Sequence, residues 1–267
     1  MTPSKNESDS SIHGGSQTVR RAFELLRLVA CGQEAGVRLK DLVEISGLNR
    51  PTVHRLLKTL IEESAVEQDI STKRYRICRD LALLGLARTR KLALQVSAET
   101  YQNNLAETIG DTVFLSIRDR LDSVCILRRT GSQPIQVLSI EVGVRRPLGR
   151  GVSGIVLLSC LNKNESDQLI KANSLRLIKL GDCITDISHQ VLQARKLGYA
   201  FRASGIMPLT SAVSVPLIHP HFGILGALTT TAMANRLPKT RIEEVVSVMQ
   251  KGAEMIVQRY SEIATHG

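Results

Sequence analysis

Between positions 50 and 58 the sequence places five side chains able to bond nucleic acid: Arg50, Thr52, His54, Arg55 and Lys58. If this segment is helical, Val53, Leu56, Leu57, Leu60 and Ile61 form an apolar stripe and Arg55 projects almost directly away from it. A helix with that outward face has what the major groove requires, because guanidinium, imidazole, hydroxyl and ammonium groups bond base edges and phosphate oxygens. A solvated polar face would look the same on one helix alone, so its neighbours decide. Lys73-Arg74-Tyr75-Arg76 follows the turn Asp69-Ile70-Ser71-Thr72 and offers Lys73, Arg74 and Arg76 to the phosphate backbone.

A second group runs from Arg145 through Arg146, Pro147, Gly149, Arg150, Gly151 and Ser153 to Gly154 and leads into an apolar helix. Free N–H groups at the helix start, with arginines nearby, favour an anionic ligand. Gly149, Gly151 and Gly154 also spell G-x-G-x-x-G, with Asp182 after a strand-like Leu175–Leu180, which makes a nucleotide-binding enzyme the rival reading. Against that rival, Pro147 precedes the glycines and Asp182 lies 28 residues past Gly154, where the fingerprint asks for about 20. Gly151-Val152-Ser153-Gly154-Ile155 only partly matches a nucleophile elbow, since Ile155 takes the place of the second glycine. His219-Pro220-His221 could supply two imidazoles, but it falls in a hairpin turn and nothing near it in sequence completes a metal site. No catalytic residue, cofactor or metal is therefore expected.

The elements that must position these groups follow from periodicity. A helix from about Thr18 to Ala30 carries Val19, Ala22, Phe23, Leu26, Val29 and Ala30 on one face. A shorter helix fits Leu39–Ile45 and stops at Gly47, suited to the left-handed conformation. Asn49 then caps the Arg-rich helix, with Pro51 in its first turn, and that helix continues to about Ser64. Ala65–Gln68 and Lys73–Ile77 read as two short strands, so three helices and a basic hairpin make a winged helix-turn-helix. Helices are expected over Arg79–Arg90 and Ala93–Ile109. The remainder mixes strands (Thr112–Ile117, Ser123–Arg128, Ile135–Ile140, Ala212–Leu217, Ile224–Thr230) with helices (Val152–Cys160, Ile187–Leu197, Ile242–Ile263). Hairpin spacing at Asp119–Asp122 and His219–Gly223 favours an antiparallel sheet, making the fold class α+β.

Composition sets the outer bounds. At 267 residues the chain exceeds one typical domain, and its +10 net charge suits a polyanionic partner. Residues 1–78 hold 12 basic and 10 acidic groups, a net of +2, and residues 79–267 hold the remaining +8, so the nucleic-acid case rests on placement. With no Trp and 3% aromatic residues the chain lacks the stacking platforms of single-strand binders, which leaves double-stranded DNA. Cys31, Cys78, Cys125, Cys160 and Cys183 show no zinc-like spacing and read as buried, reduced thiols. The polar N-terminus carries no signal-like stretch, and no segment approaches the roughly 20 apolar residues of a membrane span. A cytoplasmic location without membrane contact follows as the expectation.

Pro51-Thr52-Val53-His54-Arg55-Leu56-Leu57, followed by Lys73-Arg74-Tyr75-Arg76, resembles the IclR family of bacterial transcription regulators. Further matches are Leu81 with Leu84-Gly85, Pro147–Leu158, Gly198-Tyr199-Ala200, and Val213-Ser214-Val215-Pro216 leading to Ala227-Leu228, so the resemblance covers about Ser16 to Glu262. It implies a disordered tail over 1–16, a winged helix-turn-helix over 17–78, a linker helix over 79–92 and a GAF-like effector domain over 93–267. It also implies a homodimer or tetramer, an operator in double-stranded DNA, and a small-molecule effector that sets DNA affinity, with repression the expected sign. The effector pocket is expected around Gly149, Arg150, Gly151, Ser153, Ser204, Ser211, Thr229 and Thr231. Family pockets often carry an acidic residue, a cysteine and two serines where this chain has Arg202, Ala212, Thr229 and Thr231. Only the hydroxyls persist, so the family's small acids are poor guides; Arg202 in the pocket would favour an anion such as a larger carboxylate, and the equal alternative is a solvated surface arginine.

Overall fold

A computed structural model describes residues 9–87 and 92–265, and the chain divides into two units, Met1–Thr89 and Arg90–Gly267.

In the first unit α1 (Asp9–Ala30) starts earlier than expected, so positions 9–16 of the expected disordered tail are helical. Residues 1–8 of that tail lie outside the described residues. The helix buries Leu25 and Val29 and leaves Val19 and Phe23 exposed, so its inner face is rotated from the expected stripe. α2 (Leu39–Ser46) ends at Gly47, which takes φ of 67° and donates its N–H to the Val43 carbonyl. α3 (Arg50–Glu62) follows after three residues. Leu25, Val29, Leu42, Val53 and Leu57 are fully buried together and form one core. Each such side chain stabilises the fold by about 1.5–3 kcal/mol through its removal from water.

β1 (Val66–Gln68) pairs antiparallel with β2 (Tyr75–Ile77), Val66 opposite Ile77 and Gln68 opposite Tyr75. Tyr75 also exchanges two backbone bonds with Val37, which ties the hairpin to the connection between α1 and α2. Lys73 and Arg74, expected in the second strand, belong to the turn, where Lys73 has φ of 56°. α4 (Arg79–Gly85) is shorter than the expected linker helix, and the 88–91 part of that linker lies outside the described residues.

The second unit is built on a six-stranded antiparallel sheet. In chain order it contains α5 (Ala93–Ile109), β3 (Thr112–Asp119), β4 (Asp122–Arg129), β5 (Arg145–Pro147), α6 (Gly151–Ser159), α7 (Lys163–Lys179), α8 (Ile184–Leu197), β6 (Ala200–Arg202), β7 (Thr210–His219), β8 (Gly223–Met233) and α9 (Ile242–Thr265). The strand order is β5-β4-β3-β8-β7-β6. Side chains alternate across each strand. Val213, Val215 and Leu217 therefore pack toward α5 and α9, while Ala212 joins the core with α6 and α8. The expected α+β class and antiparallel sheet are what the chain adopts.

Two expectations fail here for physical reasons. Ile135–Ile140 is not a strand: the Gln136 side chain bonds the Thr112 hydroxyl and the Gly110 and Gln133 carbonyls, which fixes the segment without a ladder. Leu175–Leu180 is not a strand either, because it falls at the end of α7. α7 escapes a hydrophobicity reading since three of its five buried residues, Ser166, Asn173 and Arg176, are polar, beside Ile170 and Leu177. Asn173 satisfies its amide on the Leu121 and Leu148 carbonyls. The edge strands β5 and β6, three residues each, carry too little pattern to be read from sequence. No helix among the described residues is long and apolar enough to cross a membrane.

Candidate functional site

Asn49 holds an extended conformation and its side chain accepts from the Thr52 N–H at 2.9 Å, so α3 begins with its first turn satisfied. Asn49→Ala should cost about 1 kcal/mol; in a unit of this size that lowers the thermal midpoint by roughly 4–8 °C. An unchanged melt of the first unit would show that the cap is unimportant. Arg50, His54, Arg55 and Lys58 are exposed and Thr52 is half-buried. Among the described residues no carboxylate pairs with Arg50 or Arg55, whereas Lys58 Nζ lies 3.8 Å from Glu62. Arg38 and Lys40, at the start of α2, are further exposed cations of this unit. A sequence reading concerned with apolar spacing passes over them.

In the wing Asp69 accepts from the N–H and hydroxyl groups of Ser71 and Thr72. Those bonds, the Thr72 N–H foremost, hold its carboxyl far below the usual carboxylate range. Arg74 donates to the Gly36 carbonyl at 2.9 Å. Arg76 pairs with Asp69 at 3.3 Å and with Glu67 at 3.5 Å. Two of the three predicted wing cations are thus engaged inside their own unit, and Lys73 alone of the three is fully exposed.

In the second unit a cavity of about 30 Å³ brings together Gly151, Ser153, Thr229 and Thr231 of the predicted pocket, enough for on the order of two waters. Thr231 stands in register with Ala212, and Ala212 with Arg202, so strand alternation puts all three on the face that lines it. Four other predicted residues lie elsewhere. Gly149, with φ of 102°, packs toward Leu177 and Ile187. Arg150 turns to Asp182 at 2.7 Å and to the Leu180 carbonyl at 2.8 Å. Ser204 is exposed, and the Ser211 hydroxyl donates to the Ala203 carbonyl. In their place the cavity has Arg146, Arg202 and Thr210. Arg146 donates to the Ser139 carbonyl at 2.7 Å. Burial, then the nearby Arg150 charge, pushes its guanidinium down to about 10.

The family model of the IclR helix-turn-helix domain matches residues 18–69, in the first unit, and that of the bacterial transcriptional regulator IclR C-terminal domain matches residues 86–258, all but the first four of them in the second unit. The chain belongs to the IclR family of bacterial transcriptional regulators. It is 27% identical to the glycerol operon regulatory protein of Streptomyces coelicolor, over 83% of this chain and 86% of that one. It is 22% identical to the transcriptional repressor IclR of Escherichia coli, over 92% and 91%. The fold is shared with an IclR family transcriptional regulator from Brucella abortus, at a TM-score of 0.72 and 21% identity over 90% of this chain and 91% of that one. It is also shared with an IclR homologue from Microbacterium hydrocarbonoxydans complexed with 4-hydroxybenzoate, at a TM-score of 0.59 and 16% identity over 92% and 99%.

Membership in the IclR family makes this a DNA-binding regulator with an effector domain, and the glycine fingerprint has another use in it. A Cβ on Gly154 would stand 2.9 Å from the Gly149 nitrogen, and one on Gly151 3.0 Å from Ile206, so two of the glycines allow close packing around α6. The sheet has no parallel pair among the described strands, and Asp182 is the partner of Arg150. His219, a candidate metal ligand, bonds Ser261 through Nε2 and accepts two backbone N–H groups on Nδ1. Among the described residues no three His, Cys, Asp or Glu side chains gather as a metal site. The cysteines are all free. Cys125 is buried, which pushes its thiol up to about 11. Cys183, expected buried, is exposed, and its bond with Thr185 lowers its thiol.

Proposed function

We propose that this IclR-family regulator reads duplex DNA with α3, placing Arg55 on a base edge and Arg50, Thr52, His54 and Lys58 on neighbouring bases or phosphates. Lys73 reaches the phosphate backbone from the wing, while Arg74 and Arg76 hold the wing in shape. The observation that carries this is Arg55, an exposed guanidinium without an acidic partner among the described residues, opposite the apolar stripe of a capped helix that follows a left-handed turn. A free guanidinium can pair bidentately with guanine O6 and N7. Arg55→Ala should weaken binding to the operator by about 1–3 kcal/mol and leave non-specific binding nearly unchanged. Competition binding on the DNA beside its own gene, repeated across a salt series, measures both. Equal losses on operator and random DNA would remove the base-reading role.

The cavity of the second unit takes an anionic effector, supported by Arg146 and Arg202 on its wall and by the start of α6 at Gly151. That a homologue of this fold is complexed with 4-hydroxybenzoate, a carboxylate, is consistent with an acid in this cavity. The effector changes DNA affinity by binding one of two states more tightly, and repression is the proposed sign, in keeping with the repressor names of relatives. The working form is a homodimer or tetramer. Its support is the apolar surface exposed on the first unit, at Val19 and Phe23 of α1 and at Leu83, Leu84 and Leu86 at the end of α4 and just beyond.

A further inference from the structure

Arg146 lies on β5 and Arg202 on β6, the two outermost strands of the sheet. Were that sheet flat, five strand spacings of about 4.8 Å would hold those edges roughly 24 Å apart. Both residues nonetheless line one cavity together with Thr229 and Thr231 of β8, so the sheet curls until its edges face the same space. Arg202 comes from the side of β7, as its register through Ala212 to Thr231 shows, and Arg146 comes from the side of β4 and β3.

The charge in that space is unbalanced. No acidic residue lines the cavity, and among the described residues neither arginine has a carboxylate partner. The depressed guanidinium of Arg146 is the behaviour of a half-buried cation short of counter-charge. The Ser153 and Thr231 hydroxyls on the wall have no partner among the described residues and remain available to a ligand.

Resting on the effector reading above, we infer that the effector is a linear dicarboxylate, with one carboxylate on Arg146 and the other on Arg202. Two guanidiniums delivered from opposite edges of a sheet suit two anionic groups separated along a carbon chain. Each carboxylate then takes its own forked partner and the two cations are never drawn together. A compact dianion such as phosphate offers a single anionic centre where the cavity presents two guanidiniums from opposite sides. The cavity of about 30 Å³ is smaller than such a chain, so part of the wall gives way on binding. Met207 is exposed, and the connection between β6 and β7 that carries it with Ile206 belongs to no strand or helix, so this is the part of the wall taken to move.

The test is isothermal titration of the full-length protein with malonate, succinate, glutarate and adipate, with butyrate and inorganic phosphate as the single-charge and compact probes. At least one dicarboxylate should bind more than about tenfold tighter than butyrate, the effect of one added charged hydrogen-bonded pair. Arg146→Gln and Arg202→Gln should each weaken that dicarboxylate about tenfold or more, while butyrate loses affinity in only one of the two variants. If Arg146→Gln fails to fold for want of its Ser139 bond, Arg202→Gln decides, since it removes no side-chain bond present in the structure. Absence of binding by every dicarboxylate, tighter binding of phosphate, or unchanged dicarboxylate affinity in Arg202→Gln would overturn the inference. Operator binding without ligand is measured in parallel. With operator binding intact, binding of butyrate or phosphate but of no dicarboxylate removes the ligand class alone, and binding of none of the probes removes the anionic-effector reading with it.

Discussion

Leu57→Ala is expected to destabilise the first unit by about 3–5 kcal/mol and to abolish DNA binding of every kind. The side chain is fully buried in α3, in one cluster with Val53 of the same helix and with Leu25, Val29, Leu42 and Tyr75 from the elements that surround it. Truncation loses the transfer energy of the removed carbons and leaves a cavity that rigid helix–helix packing refills only in part. A unit below 90 residues has little stability in reserve, since domains of this size stand at the low end of the 5–15 kcal/mol range. Hydrogen exchange across the chain checks the effect. Protection should collapse between α1 and α4 and persist in the sheet of the second unit, whose cores contain no residue of the first. Arg55→Ala, two residues away, should leave protection intact and lose only operator binding. Leu57→Ala with normal protection and normal operator affinity would mean that α3 is not held as described.

The contrast between those two positions shows what was legible in advance. Arg55 and Leu57 differ in role because of helical periodicity, which sequence reports directly, and the turn at Gly47 and the cap at Asn49 are local signals of the same kind. The hairpins were likewise legible: Asp119 pairs with Asp122 and His219 with Gly223, where turn spacing placed them. α5 runs Ala93–Ile109, and α9 starts at Ile242, as periodicity predicted.

What stayed hidden depends on partners far away in the chain. Arg150 was expected in the pocket because it precedes the glycine-rich helix start, but Asp182, 32 residues on, draws it away. Arg146 and Arg202 share a wall only because a six-stranded sheet curls, and no local pattern announces that two short edge strands will meet around one space. Lys73, Arg74 and Arg76 look equivalent as a basic run. Gly36 and Asp69 engage two of them, and neither bond could be inferred from the run itself.

Asp111→Ala is expected to destabilise the second unit by about 3 kcal/mol or more, because it strands a guanidinium whose partner was nearly buried. Asp111 is 2% exposed and takes a fork from Arg236, with Nε at 3.0 Å and Nη2 at 2.9 Å, while Arg241 Nη1 stands 4.0 Å away. The carboxylate in turn keeps the Arg236 guanidinium firmly protonated. Removing it leaves Arg236 and Arg241 beside each other without the charge that separates them. The Arg236 side chain is 26% exposed, so water offsets part of the loss, which is why the estimate stands at the lower end of the 3–5 kcal/mol typical of broken buried pairs. Replacing both partners, as Asp111→Ala with Arg236→Leu, should recover most of the stability, since a matched apolar pair carries no stranded charge. Urea unfolding of the three proteins settles the point, and equal losses in the single and double variants would remove the pair from the account. Asp111 also immediately precedes Thr112, which stands opposite Thr231, a residue of the cavity wall. The single variant should therefore weaken effector binding as well as folding, whereas a purely peripheral ion pair would change stability and leave affinity untouched.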